Sequence, residues 1–265
     1  MSSSEDNRNY WDEIASDYQD QTRISCEDYH YGPLVPGDSH YHLLPESLEN
    51  LDCLELGCGA AQNSIYLASK GANCTALDVS EKQLKAAQSL ANDRKLKLNT
   101  IQAGIDEFAF EDTYDLIHSS FGLPFADDPE LVIEKAAMSL KPGGSLLLSL
   151  AHPVFAGEWL EVDEEGEGLF LHDYFNPPAD VRFTEDDTVM VRSRAWPISD
   201  YVSWVFDANL SLEALIEPQA LPVPIMEEDE IKHIIPYDSK IWRQLYSQIS
   251  KVPVVVIIKA NKPLD

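Results

Sequence analysis

The sequence predicts an α/β fold organised around a parallel, doubly wound sheet. Two observations carry this. From residue 51 strand-length apolar runs alternate with helix-length runs, and the first strand passes through a glycine turn straight into a helix. Leu51–Leu56 reads as a buried strand, and Gln62–Lys70 as a helix stopped by Gly71. Asn73–Leu77 is the second strand. Ser80 then caps a helix to about Asp93, whose apolar face holds Ala86, Ala87, Leu90 and Ala91. Leu98–Ala103, Tyr114–Ser119 and Ser145–Leu150 read as further strands, the last two separated by a helix over about Pro129–Leu140. Lys141-Pro142-Gly143-Gly144 marks a helix stop and a turn.

Ahead of this core, Tyr10–Gln19 places Trp11, Ile14, Ala15 and Tyr18 at helical spacing. A stretch punctuated by Pro and Gly follows, from His30 to Gly37, and a short helix is expected over Ser39–Leu44 before Pro45. After Ala151 the alternation breaks. Residues 157–190 carry eleven acidic side chains and a single basic one, Arg182, mixed with Trp159, Phe170, Tyr174 and Phe175. Linkers rarely hold so many aromatics, so this is read as an inserted lid. A helix over about Ile198–Ala208 and strands at Ser211–Ile216 and Val254–Ala260 restore order, with a second excursion from Gln219 to about Lys251.

The chain has 265 residues and a formal net charge of -27, from 46 Asp and Glu against 19 Lys and Arg. A surface this acidic is repelled by nucleic-acid phosphates and by anionic membranes, so neither is an expected partner. It fits solubility and a saline habitat and says nothing about fold. Met1–Asn9 has no apolar signal-peptide core, and the longest apolar run, Val252–Ile258, contains Pro253. Cys26, Cys53, Cys58 and Cys74 show no metal-binding spacing. Together these features predict a cytoplasmic protein with reduced thiols and no metal.

The most informative segment is Leu51-Asp52-Cys53-Leu54-Glu55-Leu56-Gly57-Cys58-Gly59-Ala60-Ala61-Gln62. Gly57 and Gly59 let the backbone approach a ligand, and the helix that follows offers N–H groups to an anion. Open α/β sheets bind ligands at such a strand–helix junction. Two cofactors compete for it. A dinucleotide loop wants a third glycine where Gln62 stands, and Glu55 would repel a pyrophosphate. S-adenosylmethionine, with a carboxylate, an ammonium group and no phosphate, suits the loop better. Asp78, at the end of the second strand, can take a ribose diol in either case.

These segments resemble the class I S-adenosylmethionine-dependent methyltransferases over roughly residues 10–151. The glycine segment is similar to their first motif, Leu77-Asp78-Val79-Ser80 to their ribose-binding turn, Tyr114–Ser120 to the fourth-strand motif and Leu140–Leu146 to the loop before strand five. The tail, with Ser199-Asp200-Tyr201, Ile216-Glu217-Pro218 and a last apolar strand, resembles the ubiquinone/menaquinone-type small-molecule subgroup. The resemblance implies a Rossmann-like, mostly parallel seven-stranded sheet with helices on both faces and an antiparallel last strand pair. It also implies a helical cap, residues 1–50, over the cofactor and substrate site. The domain proper is then 51–265, with excursions at about 152–197 and 219–251 forming the substrate pocket. Carried over by position, Gly57, Cys58 and Gly59 meet the methionine moiety and Glu55 the ammonium. Asp78 and Val79 lie at the ribose, Gly104, Ile105 and Asp106 at the adenine, and the Ser119 carbonyl at the ammonium. Relatives often hold an acid where Gly104 stands; Asp106 is the substitute.

Transfer from an activated sulfonium is an in-line displacement, for which positioning and water exclusion supply up to about 7–11 kcal/mol. A base is needed only when the nucleophile arrives protonated. Candidates are His152, after strand five in Ala151-His152-Pro153, and the pair His30 and Tyr31 in the cap. His118 reads as a core residue, and Tyr10, Trp11 and Tyr18 as a helix face that could meet the sulfonium. Arg192 and Arg194 either bind a substrate carboxylate or neutralise nearby acids. The expectation is a methyltransferase that acts on a small molecule, preferring an O or N acceptor, and releases S-adenosylhomocysteine. A non-catalytic S-adenosylmethionine-binding module and a methyltransferase of proteins are the alternatives; oligomeric state is not readable.

Overall fold

The computed structural model describes residues 4–22, 24–156, 158–163, 166–171, 173–184, 190–221 and 235–264. Seven strands form one sheet: β1 Asp52–Leu56, β2 Asn73–Asp78, β3 Asn99–Gln102, β4 Tyr114–Ser120, β5 Leu140–Ala151, β10 Ser211–Ile216 and β11 Val255–Asn261. Their order is β10-β11-β5-β4-β1-β2-β3. Pairing is parallel from β3 to β5, while β11 runs antiparallel to both β5 and β10. This is the Rossmann-like sheet with a reversed last pair.

The helices follow from their caps. Ser80 accepts the Gln83 N–H to start α4, Glu81–Asp93, and Asp128 accepts the Leu131 N–H ahead of Pro129 to start α5, Pro129–Ser139. α3 spans Gln62–Ser69, α6 Ile198–Asp207, α7 Lys240–Gln244 and α8 Tyr246–Ile249. Buried strand positions alternate between two cores, as the two-residue period of a strand requires. Leu54, Leu56, Ile117, Leu146, Leu148, Val256 and Ile258 pack with Val132, Ile133 and Ala136 of α5 and with Tyr201 and Val205 of α6. Cys53, Cys74, Leu116, Leu147, Val255 and Ile257 face the other way, onto Leu67 of α3 and onto Tyr29, Tyr31, Leu34 and Val35. The stretch around residues 29–35 therefore completes the second core of the domain.

The N-terminal helix α1, Ser4–Thr22, is longer than the expected Tyr10–Gln19, and it lies against α4. Asp12 accepts bonds from the Ser80 hydroxyl at 2.6 Å and the Lys82 N–H at 3.1 Å. Gln19 donates to Gln83 at 2.9 Å and accepts from Gln62 at 2.7 Å. α2, Asp38–Tyr41, is a single turn. The 141–144 turn is absorbed into β5, whose pairing with β4 shifts register between Tyr114 and Leu116. The acidic insertion forms two hairpins, β6 Glu158–Asp163 with β7 Gly166–Phe170, and β8 Asp180–Phe183 with β9 Met190–Ser193. Part of the second excursion, 222–234, lies outside the described residues. Among the described residues no helix is long and apolar enough to cross a membrane.

Candidate active site

A cavity of about 730 Å³ opens at the C-terminal ends of β1, β2, β4 and β5, where an open α/β sheet offers its crevice. Its floor is the expected glycine turn, with Glu55, Gly57, Cys58, Gly59, Asp78, Val79 and Ile105 all on the wall. Gly57 is at φ +66°, and a Cβ there would come within 2.9 Å of the Gly122 Cα, so two backbones touch where a side chain would push them apart. Ala61 and Phe121 also hold left-handed φ values, of +56° and +63°, at the ends of the segments that frame the cavity. Strain of this kind collects at binding sites.

The turn is wired inward. The Gly59 N–H donates to Asp78 Oδ2 at 2.8 Å, the Ser80 N–H to Asp78 Oδ1 at 2.9 Å, and the Cys58 N–H to the Leu77 carbonyl at 3.0 Å. Cys58 and Gly59 thus direct their N–H groups to the second strand. Glu55 Oε2 accepts the Ser64 N–H of α3 at 3.0 Å. Both carboxylates are buried and held by backbone N–H groups rather than by Lys or Arg. Burial pushes the Glu55 carboxyl up to about 7 and also raises that of Asp78. A site with two such carboxylates favours a cation and disfavours a pyrophosphate.

The opposite wall is aromatic and comes from distant segments: Trp11 and Tyr18 of α1, Phe121, Phe125, Phe155, Tyr237 and Trp242. Trp11 packs edge-on to Tyr18 and to Phe125, and the Tyr18 and Tyr237 hydroxyls lie 3.2 Å apart. Among the described residues that line the cavity Arg182 is the single Lys or Arg, and Asp180 holds it at 2.7 Å. The first excursion adds His152, Pro178, Ala179 and Ser193 to the wall.

The candidate bases separate. His30 lines the cavity, edge-on to Tyr237, and its Nδ1 has no hydrogen-bond partner; burial drives its pKa down to about 3. His152 also lines it, but both ring nitrogens are engaged. The Val154 N–H donates to Nδ1 at 3.1 Å, which leaves the proton on Nε2, 2.7 Å from Glu217 Oε1. With no free lone pair, His152 cannot take a proton as it stands. Tyr31 is corrected outright as a pocket residue: it is fully buried in the second core, its hydroxyl donating to Asp38 at 2.5 Å. His118 is buried in β4 beside the Tyr29 hydroxyl.

At the far end of the cofactor region only Ile105 reaches the cavity. The Gly104 N–H donates to Glu107 at 2.8 Å, and neither Gly104 nor Asp106 is on the wall. Ser119 sits behind it, its hydroxyl bonded to the Leu56 carbonyl, and its neighbour Ser120 lines the cavity instead. Arg194 bonds Asn176 and the Pro177 carbonyl and stacks on Trp196, away from the cavity. Phe121, Gly122, Tyr237 and Trp242 escape sequence reasoning as individual residues, because their place on the wall depends on contacts between distant segments.

Residues 54–148 match the family described as Methyltransferase domain. The Ubiquinone biosynthesis O-methyltransferase of Hydrogenovibrio crunogenus is 30% identical over 146 residues, 51% of this chain and 60% of that protein. The chain thus spans less than two thirds of that curated relative's length. A Listeria monocytogenes structure described as an S-adenosylmethionine-dependent methyltransferase superposes with a TM-score of 0.63 at 25% identity, covering 84% of this chain and 94% of that one. A Haloferax volcanii chain, from the complex between the Trm112 methyltransferase activator and a methyltransferase, shares the fold over 99% of both chains, with a TM-score of 0.64 at 16% identity. With the sheet order and the glycine turn, these likenesses show a methyltransferase domain over residues 54–148, set in the fold of the S-adenosylmethionine-dependent methyltransferases.

Proposed function

We propose that the protein transfers a methyl group from S-adenosylmethionine to a small-molecule acceptor, at oxygen or nitrogen, by in-line displacement. The observation that carries this reading is the meeting, in one cavity, of two buried carboxylates at the strand ends with an aromatic wall built by α1 and the two excursions. S-adenosylmethionine, when bound, supplies a methyl group on a positively charged sulfur that is already activated for displacement. The donor set supports that fit: Glu55 suits an ammonium group, Asp78 a ribose diol, and Ile105 an apolar ring face.

The protein's own residues then bind, orient and exclude water. Trp11, Tyr18 and Phe125 close the cavity from the α1 side, which removes competing water and presents ring faces to a cation. His30 serves as a neutral hydrogen-bond partner that orients an acceptor O–H or N–H. His152, tied to Glu217, holds the wall after β5, and Tyr31 supports His30 from the core. The names of the curated relatives favour an oxygen acceptor. The net charge of -27 supports a small molecule over nucleic acid, and four buried free cysteines support a reducing, cytoplasmic setting.

Isothermal titration with S-adenosylmethionine and S-adenosylhomocysteine tests the reading on the wild type and on Asp78→Ala. Micromolar binding, about -8 kcal/mol, weakened at least tenfold by the substitution, supports it. Labelled methyl donor in a metabolite extract then identifies the acceptor. Retention of NAD(H) with no binding of either sulfonium or thioether ligand overturns the cofactor, and tight binding without any labelled product favours the binding module.

A further inference from the structure

We infer that Asn63 is a positioning residue that couples the cofactor turn to the acceptor wall by holding the backbone of His30 from the first turn of α3. The inference rests on the methyl-transfer reading above and extends it to a residue with no expected role.

The argument starts from an accounting requirement. A buried backbone N–H and C=O must each find a partner, and His30 lies in a buried stretch outside any strand. The Asn63 side-chain amide supplies both. Its Oδ1 accepts the His30 N–H at 2.8 Å, and its Nδ2 donates to the His30 carbonyl at 3.0 Å. The second Nδ2 hydrogen goes to Ser120 Oγ at 3.0 Å, and Ser120 Oγ in turn donates to the His30 carbonyl at 3.3 Å. One fully buried amide thus takes the place of a neighbouring strand for a single residue.

Its location gives the contact a consequence. Asn63 follows Gln62 at the start of α3, directly after the glycine turn, and the next residue, Ser64, bonds Glu55. Ser120 ends β4 beside the left-handed Phe121. A ligand that settles Glu55 and the turn therefore settles the same rigid helical turn that holds His30, whose ring packs edge-on to Tyr237 with its Nδ1 unpartnered. The neutral state of the ring, favoured by its burial, keeps it available as a hydrogen-bond partner at all physiological pH values.

The test is amide hydrogen exchange at His30, with and without saturating S-adenosylhomocysteine, in the full-length wild type, Asn63→Ala and Asn63→Asp. In the wild type the ligand is expected to slow His30 exchange at least tenfold, beyond any change at Leu34, whose N–H bonds the Tyr237 carbonyl instead. Asn63→Ala is expected to bind the ligand within threefold of wild type but to lose that slowing. Asn63→Asp, which keeps the acceptor for the His30 N–H and lacks the two donors, covers the case in which the alanine variant does not fold; it is expected to retain less than half of the effect. Equal ligand-induced slowing in the wild type and either folded variant overturns the inference while leaving the methyltransferase reading intact. No binding of S-adenosylhomocysteine to the wild type overturns the reading itself, and the inference with it.

Discussion

The Glu55 carboxylate accepts the Ser64 N–H at 3.0 Å, so a strand residue caps the first turn of the helix that follows the glycine turn. Desolvation outweighs that bond and pushes the carboxyl up to about 7, with Asp78 nearby adding in the same direction. A cationic ligand reverses the balance. S-adenosylmethionine affinity is therefore expected to rise between pH 6 and 8 as Glu55 ionises, and binding near pH 7 should release a proton. Titration in buffers of different ionisation heat reads that proton. Glu55→Gln should abolish the release and weaken binding about tenfold, roughly 1.4 kcal/mol. In the free protein this raised carboxyl makes stability fall as pH rises from 4.5 towards 7.

Asp78 both lines the cavity and bonds the Gly59 and Ser80 N–H groups. Asp78→Ala leaves two N–H donors without their partner, and the protein should lose about 1–3 kcal/mol of stability as well as affinity. Asp78→Asn keeps one oxygen acceptor. It should unfold closer to wild type in urea yet still bind S-adenosylhomocysteine at least tenfold more weakly. Wild-type affinity in Asp78→Asn would place the ribose elsewhere.

His30 and His118 are buried and neutral, each with its pKa lowered to about 3 from 6.5; burial is the main cause, and at His118 the neighbouring His30 adds to it. A histidine depressed in the folded state gives stability that is present above 6.5 and lost as pH falls towards 3. The urea midpoint should decline over that window. Replacing His118 with Gln should flatten the decline, because one proton fewer is taken up on unfolding. His30→Ala is expected to keep cofactor affinity within threefold and lower acceptor turnover at least tenfold. His152→Ala should instead act through the fold, by freeing Val154 and Glu217.

Gln19 joins α1 to both Gln62, at the start of α3 after the glycine turn, and Gln83, in the first turn of α4. Gln19→Ala should loosen α1, speeding amide exchange across residues 4–22 and raising the dissociation rate of S-adenosylhomocysteine about tenfold. Stopped-flow release measures the rate. An unchanged rate with faster exchange would separate α1 from ligand retention.

The segments that read well from sequence are those whose information is local. The strands and helices from β1 to α5 fall within a residue or two of their expected ends, because Ser80, Gly71 and Pro129 punctuate them and the apolar period is clear. α1 runs longer than expected because its first residues are acidic and polar and leave no apolar stripe to count. Gly143 and Gly144 look like a turn in sequence, yet the chain stays in strand pairing because the Gly143 N–H donates to the Lys262 carbonyl and the Lys262 N–H to the Gly144 carbonyl, just past the end of β11.

The same division runs through the site. The order of glycine turn, Glu55 and Asp78 on successive strand ends is a short-range pattern, so the sequence by itself determined the fold class, the glycine turn and the acidic surface. Only the tertiary structure decided that the turn's N–H groups point inward, that Tyr31 serves the core while His30 faces the cavity, and that His152 is committed to Glu217. It also decided that Trp11, Phe155, Arg182 and Tyr237 share one wall. The physical reason is that a hydrogen bond or a ring contact between residues dozens of positions apart leaves no periodic trace in the chain, and exists only once the sheet has brought the segments together.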